Sequence, residues 1–354
     1  MASSSLEPSR PVYGGAGTLP AIAPYAMAAD IAGAGGPSAP VADPAAAQPR
    51  RATADGPAPA IVVVGSASRD LDAGDPRGWR LGGGATYGAL VLARLGLRVG
   101  VVLGVDGPAA EAHELDLLRD AGAEIHPVRL PSGPVFQLSY TAAGRIVRCE
   151  EPGGPLPVAA LPPAWRAAPA WYLAPVADEL PDGWAAIPPG AVVALGWQGM
   201  LRDLERGAPV RPRAASPRAL LRRANLVSVS VEDLDPDVEL RALLRLLRTG
   251  AICTLTRGAR GGLALTARPG TPRMRRFPAL PIEAEVDTTG AGDAFLAAFL
   301  AARIAPALAG RQPHLLAALR FAATVAAVHV GGLGLAGVPT LAQVRDALRQ
   351  PPLG

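Results

Sequence analysis

The sequence predicts an α/β fold built on a mostly parallel sheet, and three features indicate it. Short apolar runs rich in Val, such as IVVVGS from Ile61, are typical of buried strands. They alternate with longer helix-like segments such as ATYGALVLARLG, and this alternation is typical of β-α-β units. A hydrophobic content of 49% in 354 residues is enough to bury one large core.

The predicted elements follow one another from Ile61 onwards. After the first strand and helix come strand-like LRVGVVLGV, helix-like AAEAHELDLLRDAG and strand-like AEIHPVRL. Further strands are predicted in AWYLAP, GAVVALG, ANLVSVS, AICTLT and GLALTA, with helix-like ELRALLRLLRTG between the third and the fourth. Three helices are predicted next, in AFLAAFLAARI, HLLAALRFAATVAAVHV and LAQVRDALRQ. One stretch, VFQLSYTAAGRIVRCE, has period two around Ala-Ala-Gly and predicts a hairpin outside the alternation.

Residues 1–60 differ in composition from the rest of the chain. They are mostly Ala, Pro, Gly and Ser, with few large apolar side chains. Such a segment cannot bury enough apolar surface to offset the entropy that it would lose on ordering. We therefore predict a disordered extension over residues 1–60 and one folded domain over residues 61–354.

Charge, cysteine content and hydropathy exclude several classes of protein. The formal charge is +4, every Lys or Arg is an Arg, and the densest Arg run, residues 211–223, has no interleaved aromatics, so we predict no nucleic-acid binding. Two cysteines and four histidines share no metal-ligand spacing, which predicts neither a zinc site nor a disulfide framework. Because no signal peptide or transmembrane run is recognisable, we expect no membrane partner and a cytoplasmic location.

The stretch DTTGAGD, residues 287–293, places a glycine-rich turn directly before an apolar helix. A helix N-terminus exposes backbone N–H groups at the positive end of the helix dipole, so the turn predicts an anion site. Gly290 and Gly292 lack the Cβ atoms that would block a close approach. Asp293, a second negative charge beside a bound anion, indicates a group that handles a proton. On spacing alone, an Asp that merely caps a buried helix stays an open alternative.

Two motifs resemble signatures of the ribokinase family, also called the PfkB family of carbohydrate and nucleoside kinases. DTTGAGDAFLAAF is similar, nearly letter for letter, to the C-terminal signature, and LGGGATYGALVLARLG resembles the N-terminal one. Their order and separation also agree, and the resemblance covers roughly residues 61–350. It implies a ribokinase-like three-layer α/β/α fold with a mostly parallel central sheet and a small β lid, here about residues 74–81 and 135–149.

The resemblance implies catalytic roles for the C-terminal motif. Asp293 matches the base that takes the proton of the acceptor hydroxyl as it attacks the γ-phosphate of ATP. The N–H groups of Gly290, Ala291 and Gly292 match the anion hole that stabilises the transferring phosphoryl group. Asp287 is expected to fix the loop, and binding of a monovalent cation such as K⁺ is left open.

The N-terminal motif is implied to bind the phosphate acceptor. Asp70 matches an Asp that accepts hydrogen bonds from substrate hydroxyls, although a simple turn-forming role stays open. Gly82 and Gly83 match a Gly-Gly turn against which the substrate lies. Tyr87 and Ser68 stand where the family usually or often has Asn. The loss of two amides and the gain of an aromatic ring favour a nucleoside or a cyclitol over simple ribose.

Two further stretches resemble the nucleotide site of the family. TLTRGARGG resembles the strand-turn element beside ATP, with Thr256 and Gly258 at the matching places. AATVAAVHVGG resembles the helix near the adenine, where Ala323, Val330 and Gly331 are expected to line the base. An ordinary glycine turn and a plain core helix explain the same letters, so both alternatives stay open.

The Asn-x-x-Glu element that organises Mg²⁺ and phosphate in this family has an altered counterpart. The sequence Ser230-Val231-Glu232-Asp233 has Ser in place of Asn and Asp in place of Glu. A shorter carboxylate can still hold a metal-bound water. We therefore expect Mg²⁺ dependence, with Ser230 near the nucleotide and Glu232 and Asp233 as candidate metal-binding residues.

Together these interpretations predict an ATP-dependent kinase that transfers the γ-phosphate to a hydroxyl of a sugar, cyclitol or nucleoside. The stretches LAPVADELP and LGWQGMLR are also similar, more distantly, to inositol kinases. The alternative is a ligand-binding pseudokinase on the same fold, in which the altered magnesium element has lost turnover. The intact DTTGAGD argues against that alternative. The sequence leaves the oligomeric state open, a homodimer included.

Overall fold

The structure is a computed structural model of the chain, and it describes residues 58–141, 144–282, 284–310 and 314–349. The predicted disordered extension, apart from its last three residues, lies outside the described residues. The first strand begins at Ile61, the residue at which the sequence predicts the start of the folded domain.

The described residues form sixteen strands and eight α-helices. In chain order the strands are β1 (Ile61–Ser66), β2 (Ser68–Leu71), β3 (Trp79–Gly82), β4 (Val99–Val105), β5 (Glu124–Arg129), β6 (Val135–Thr141), β7 (Gly144–Glu151), β8 (Ala170–Leu173), β9 (Val192–Gly196), β10 (Arg202–Asp203), β11 (Ala208–Pro209), β12 (Arg211–Pro212), β13 (Leu226–Ser230), β14 (Ile252–Thr256), β15 (Gly262–Thr266) and β16 (Arg273–Phe277). The helices are α1 (Gly84–Arg94), α2 (Gly107–Ala110), α3 (Glu114–Asp120), α4 (Ala219–Arg223), α5 (Leu240–Arg245), α6 (Ala291–Ile304), α7 (Leu315–Val330) and α8 (Leu341–Arg349). None of these helices is both long and apolar enough to cross a membrane.

The central sheet has nine strands in the order β16-β15-β14-β13-β9-β8-β1-β4-β5. The seven strands from β14 to β5 in this order run parallel, whereas β15 and β16 add antiparallel to one edge. The inner parallel strands are runs of Val, Ile, Leu and Ala that are buried along most of their length, as expected where helices cover both faces. The predicted three-layer α/β/α fold with a mostly parallel sheet is confirmed.

Alternation of side chains along the strands separates the two helical layers. In β8, Trp171 and Leu173 point into a core that also contains leucines of α4 and α5 and three more buried tryptophans. Tyr172, between them, points to the opposite face, where its ring lies against α1. Helices α1, α6 and α7 pack against one another on that face. The period of two in β8 therefore decides which side chain can reach α1 and α6.

The helix predicted over AAEAHELDLLRDAG is divided in the structure into α2 and α3. Asp106 caps α2 by accepting a hydrogen bond from Ala109 N at 2.9 Å. The N–H groups of Glu111 and Ala112 then bond to carbonyls three residues back, and such tight bonds end a helix after a single turn. The apolar pattern does not reveal this break, because Ala112 and Leu115 are both buried.

A second sheet of five strands, in the order β11-β7-β6-β2-β3, forms the lid and is called the lid sheet below. Strands β6 and β7 are the two arms of the predicted hairpin, and β3 overlaps the end of the segment 74–81. Strands β2 and β11 extend the sheet beyond the predicted segments. Phe136 of β6 and Cys149 of β7 form a separate small core with Val176. Strands β10 and β12 form a two-stranded ribbon nearby in sequence.

Close packing between α1 and β8 depends on a glycine. A Cβ atom added at Gly88 would overlap the ring of Tyr172, which is fully buried. Because protein interiors are close-packed, the enclosed ring has no space into which to move. A side chain at Gly88 would therefore push α1 away from the sheet.

We expect Gly88→Ala to lower the free energy of unfolding by about 1–3 kcal/mol, the range for overpacking a filled core. Urea denaturation of the whole chain measures the change. Gly190→Ala is the matched control, because a Cβ there would have nothing within 4 Å. Its effect should stay within about 0.5 kcal/mol. Equal stability of the two variants would contradict the tight contact of α1 with Tyr172.

Candidate active site

A cleft of about 1030 Å³ lies where the central strands end and the lid sheet begins. Gly196, Ser230 and Thr256 line it, and they are the last residues of β9, β13 and β14. These strands run parallel, so their carboxyl ends meet at one edge of the sheet, where α/β proteins bind ligands. Phe136 and Leu138 of the lid sheet line the same cleft. The topology thus brings residues that are distant in sequence into one site.

The glycine-rich turn starts α6 with its N-terminus at the cleft. Gly290 is the N-cap residue, and its φ of 79° lies in the left-handed region that favours glycine. A Cβ there would also lie 2.5 Å from the ring of Tyr87. Thr288, Ala291 and Gly292 line the cleft, and Ala291 N donates to Thr288 O at 3.2 Å, which tightens the turn. The positive end of the helix dipole therefore faces the cleft, as an anion site requires.

Asp293, in the first turn of α6, lines the cleft, and its Oδ1 accepts a hydrogen bond from the Tyr172 hydroxyl at 3.1 Å. A Cβ added at Gly84 would lie 2.5 Å from the same oxygen, so glycine is needed for α1 to come this close. Burial raises the pKa of Asp293 to about 6, against the lowering effects of the Tyr172 hydrogen bond and the Arg202 charge. The negative charge of Asp233 raises this pKa as well. A carboxyl group of this kind exchanges its proton near neutral pH.

Asp287, the other carboxylate of the motif, holds the loop together. Its Oδ1 accepts a hydrogen bond from Thr289 N at 2.9 Å, and its Oδ2 accepts one from Gly334 N at 3.0 Å. Arg80 adds an ion pair across 3.6 Å. His329 of α7, which is fully buried, donates from Nε2 to Thr289 O at 2.8 Å. These contacts tie the start of α6 to α7 and to the lid sheet.

The predicted acceptor residues surround the start of α1. Asp70 and Gly83 line the cleft, and Ser68 Oγ donates to Asp70 Oδ1 at 2.9 Å. Gly82 lies directly beneath the other carboxylate oxygen, where a Cβ would overlap it, and does not itself line the cleft. Tyr87 also lines the cleft, although only 3% of its surface is exposed. Gly82 therefore leaves the space that the Asp70 carboxylate occupies.

The buried ring of Tyr87 bears on the predicted acceptor. It packs against the turn at Gly290 on one side and edge-on against His329 at 5.4 Å on another. A ring enclosed in this way does not offer a flat face on which a nucleobase could stack. The aromatic substitution therefore gives no support to a nucleoside acceptor.

Negative charge is concentrated at this end of the cleft. The pKa of the Tyr87 hydroxyl is raised well above its usual value, first by burial and then by three carboxylate charges, those of Asp70, Asp287 and Asp293. The charge of Arg80 acts in the opposite direction. Carboxylates accept hydrogen bonds from hydroxyl groups and repel anions. This end of the cleft therefore suits a neutral molecule with several hydroxyls.

The predicted nucleotide residues line another part of the same cleft. Thr256 ends β14, and Gly258, with a φ of 54°, follows in the turn. Ala323 and Val330 of α7 line the cleft with several small or apolar neighbours, namely Leu280, Ile282, Ala326 and Ala327. Gly331 is the C-cap of α7 and lies outside this lining. The wall is apolar, as nucleobase pockets usually are.

The altered magnesium element follows β13 at the cleft. Ser230 Oγ accepts a hydrogen bond from Glu232 N at 3.2 Å, which closes a short 3₁₀ turn. Asp233 Oδ1 accepts one from Gln198 Nε2 at 2.9 Å and pairs with Arg202 Nη2 at 3.6 Å. Among the residues that the structure describes, no three His, Cys, Asp or Glu side chains are grouped to hold a metal. Mg²⁺ often binds one or two carboxylates together with substrate phosphates, so Glu232 and Asp233 fit an ion that arrives with the donor.

Sequence reasoning missed four residues of this site, Gly84, Tyr172, Gln198 and Arg202. AWYLAP predicts a strand, but alternation alone does not say that Tyr172 meets the start of α6. Gln198 and Arg202 lie in LGWQGMLR, which the sequence connects only with a distant resemblance. For Gly84 a signal exists, because a run of three glycines before a helix indicates a close approach of the backbone.

Comparison with known proteins connects this site with a kinase family. Residues 226–341 match the family model described as pfkB family carbohydrate kinase. This segment contains the magnesium element, Thr256 and the whole of DTTGAGD. Among curated protein sequences none matches the chain.

Solved structures share the fold at low sequence identity. A pyrophosphate-dependent kinase in the ribokinase family, solved as a sulfate complex, is 20% identical, with a TM-score of 0.61 over 81% of this chain and 99% of its own. Ribokinase from Thermotoga maritima is 17% identical, with a TM-score of 0.60 over 82% of this chain and 100% of its own. Ribokinase from Arabidopsis thaliana, complexed with ribose and ATP, is 19% identical, with a TM-score of 0.58 over 83% and 100%. At these identities the likeness establishes the fold.

The family match contains the C-terminal motif, and the fold brings both motifs to one cleft. The predicted resemblance to the ribokinase (PfkB) family is confirmed. The predicted enzyme class, a phosphotransferase with an alcohol group as acceptor, is confirmed with it.

The raised pKa of Asp293 predicts that its carboxylate destabilises the folded protein at neutral pH. The pKa is about 6 in the folded protein against an ordinary 3.8, so the folded state holds the proton more tightly. The associated stability is present at low pH and is lost as the pH rises through about 6. Asp293→Asn, which cannot ionise, should raise the free energy of unfolding by about 1–2 kcal/mol at about pH 7.5, and by about a third of that at about pH 4.5.

Urea denaturation at the two pH values measures this difference. Asp120→Asn, at an exposed position of α3, is the matched control and should change stability by less than about 0.5 kcal/mol at both. A loss of stability in Asp293→Asn at neutral pH would show that the carboxylate is stabilised by its surroundings instead.

Proposed function

We propose, proceeding from the PfkB-family match, that this chain is an ATP-dependent kinase that phosphorylates a hydroxyl of a sugar or a cyclitol. Asp293 is the base, and the N–H groups of Gly290, Ala291 and Gly292 form the anion hole, for which Ala291 N gives up its hydrogen bond to Thr288 O. The observation that carries the proposal is the place of Asp293, whose pKa is about 6, in the first turn of the helix that faces the cleft. A general base works best when its pKa is near the operating pH. One turn thus supplies both the proton acceptor and the anion site.

In the proposed reaction the acceptor hydroxyl attacks the γ-phosphorus while Asp293 takes its proton. The bond between this phosphorus and the β–γ bridging oxygen breaks, and ADP leaves with that oxygen. The N–H groups and the dipole of α6 stabilise the charge on the transferring group. Because Oδ1 accepts the Tyr172 hydroxyl, Oδ2 is the oxygen that we assign to the proton.

The charges at the acceptor end favour a neutral polyol. Asp70, Asp287 and Asp293 all act on the Tyr87 hydroxyl, so a phosphorylated sugar would be repelled there. Ribose is bound in the Arabidopsis thaliana ribokinase complex, and myo-inositol in a complex of a pyrophosphate-dependent kinase of the same fold. Both molecules are neutral and rich in hydroxyls. These observations support a sugar or a cyclitol as the acceptor.

The apolar wall beside Thr256 and Gly258 supports ATP as the donor. Alanines and Val330 of α7 give a nucleobase an apolar surface to pack on. Pyrophosphate has no base and could not use this surface. Mg²⁺, when bound with the nucleotide near Glu232 and Asp233, would neutralise phosphate charge. Because a similar structure is a pyrophosphate-dependent kinase, the donor has to be tested directly.

We expect ADP release in the presence of Mg²⁺ with at least one member of a panel of sugars and cyclitols. Asp293→Asn should lower kcat by about 100-fold or more, because general base catalysis contributes factors of this size. A coupled ADP assay measures both, and Asp120→Asn is the control for an exposed carboxylate.

The same panel decides between the alternatives. Turnover with pyrophosphate but not with ATP would overturn ATP as the donor. Binding of ligands without turnover across the panel would favour a pseudokinase. Turnover in Asp293→Asn within about 3-fold of the wild type would overturn the assignment of the base.

Tyr172→Phe tests the same base through the pH dependence of the reaction. The Tyr172 hydrogen bond lowers the pKa of Asp293, so its removal should raise that pKa further above 6. Since the base acts in its deprotonated form, kcat of the variant should fall strongly at about pH 6 and approach the wild-type value at about pH 8. An acid limb at the wild-type position would show that Asp293 does not set it.

A further inference from the structure

We propose that Arg202 is a catalytic residue of this site, a guanidinium that donates hydrogen bonds to the transferring phosphoryl group and neutralises its charge. The inference rests on the proposed kinase function. It gives LGWQGMLR, residues 195–202, a role in the chemistry.

The motif presents two polar side chains to the magnesium element. After β9, the 3₁₀ turn Gln198–Leu201 brings Gln198 and Arg202 to the cleft. Both meet the same oxygen, Asp233 Oδ1, with Gln198 Nε2 at 2.9 Å and Arg202 Nη2 at 3.6 Å. A Cβ on Gly199 would overlap the carbonyl of Pro175, so the turn requires glycine. The local sequence therefore fixes the place from which Arg202 extends.

Arg202 is enclosed between the central sheet and the lid sheet. Its side chain is 12% exposed, and that of Asp233 is 10% exposed. The guanidinium carbon lies 5.8 Å from the centre of the Phe136 ring in β6, a cation–π distance. A guanidinium with so little water around it acts more strongly on neighbouring charges than an arginine at the surface does.

The charge of Arg202 reaches the proposed reaction centre. It lowers the pKa of Asp293, whereas the charge of Asp233 raises it. Arg202, Asp233, Asp293 and the turn at Gly290 all line one cleft. A phosphoryl group held between the base and the start of α6 would therefore lie within the field of Arg202.

The positive charge of Arg202 lies beside the altered magnesium element. Asp233 stands where the family has Glu, and Arg202 already balances its charge before any metal binds. At 3.6 Å the pair is an electrostatic contact and not a hydrogen bond. A planar guanidinium presents N–H groups in a fork that matches two oxygens of a phosphoryl group. Arg202 thus supplies positive charge next to Asp233, in the element where Ser and Asp replace the Asn and Glu of the family.

In the transfer step, each bond that forms or breaks involves a group that already has an assigned role. The bond from the acceptor oxygen to the γ-phosphorus forms, and the bond to the bridging oxygen breaks. The proton goes to Asp293, and ADP carries away the electron pair of the broken bond. Arg202 forms no covalent bond and acts through hydrogen bonds and charge.

A mimic of the transferring phosphoryl group separates this role from a structural one. ADP with fluoroaluminate imitates that group, and a residue that acts on the group contributes to affinity for the mimic more than to affinity for ADP. Calorimetry with Mg²⁺ present measures both affinities. We expect Arg202→Gln to weaken binding of ADP with fluoroaluminate by about 30-fold or more, binding of ADP by less than about 3-fold, and kcat by about 100-fold or more.

Two further variants separate the loss of one positive charge from the loss of the planar guanidinium group. Arg206→Gln removes the same charge from the next turn of the chain, where Arg206 is 70% exposed and pairs with Glu151 of the lid sheet. It should leave both affinities and kcat within about 3-fold of the wild type. Arg202→Lys keeps the charge without the planar fork, so kcat should stay low.

The acid limb of kcat gives a second readout. Three charged or titratable groups act on the pKa of Asp293, namely Arg202, Tyr172 and Asp233. The charge of Asp293 in turn acts on the Tyr87 hydroxyl. Arg202→Gln should move the limb to higher pH, because a charge that lowers the pKa of Asp293 is lost. Arg202→Lys should leave the limb near its wild-type position.

Each outcome is decisive. Arg202→Gln with wild-type affinity for the mimic and kcat within about 3-fold overturns the role of Arg202 and leaves the kinase proposal standing. Equal losses for ADP and for the mimic identify Arg202 as a structural residue, which also overturns the inference. If the wild-type protein binds neither ATP nor ADP, the proposed function fails, and the role of Arg202 fails with it.

Discussion

The N-termini of α1 and α6 approach each other so closely that a Cβ atom at either of two glycines would overlap a side chain of the other motif. Gly84 leaves space for Asp293, and Gly290 leaves space for the ring of Tyr87. This contact joins the two motifs that carry the family resemblance, although about 200 residues lie between them in the sequence. The proposed acceptor turn, base and anion site all take their positions from it. A larger side chain at either glycine would separate the groups that the proposed reaction requires.

The same contact accounts for the protonation behaviour of the site. When α1 covers Asp293, its carboxylate loses water and its pKa rises to about 6. Tyr172 limits the rise by donating a hydrogen bond from a fully buried position in β8. A strand of the sheet thus holds the carboxylate that the surrounding helices desolvate. Burial of this carboxylate lowers the stability of the folded protein at neutral pH, and the same burial gives Asp293 the pKa that the proposed proton transfer requires.

The fold could be predicted from the sequence because its signals are local or shared with a family. Runs of Val, Ile and Leu alternate with helical segments, and DTTGAGD marks the start of α6. The partners of Asp293 could not be predicted, since the contact of Tyr172 depends on strand register and on the packing of Gly88. For Tyr87 the sequence shows the change of residue but not its structural role. Its substitution for Asn is visible in the sequence, but only packing shows that the ring is buried under the turn.

Charge is divided along the cleft, and this division fits the two different molecules that the proposed reaction requires. The carboxylates of Asp70 and Asp293 line the cleft, and together with that of Asp287, which lies outside the lining, they place negative charge around the Tyr87 hydroxyl. The N-terminus of α6 and the guanidinium of Arg202 provide positive potential beside the base. Asp233, in the turn after β13, and the Phe136 ring, in the lid sheet, both contact Arg202. Phe136 of the lid sheet therefore helps to fix the position of the charge that lowers the pKa of Asp293.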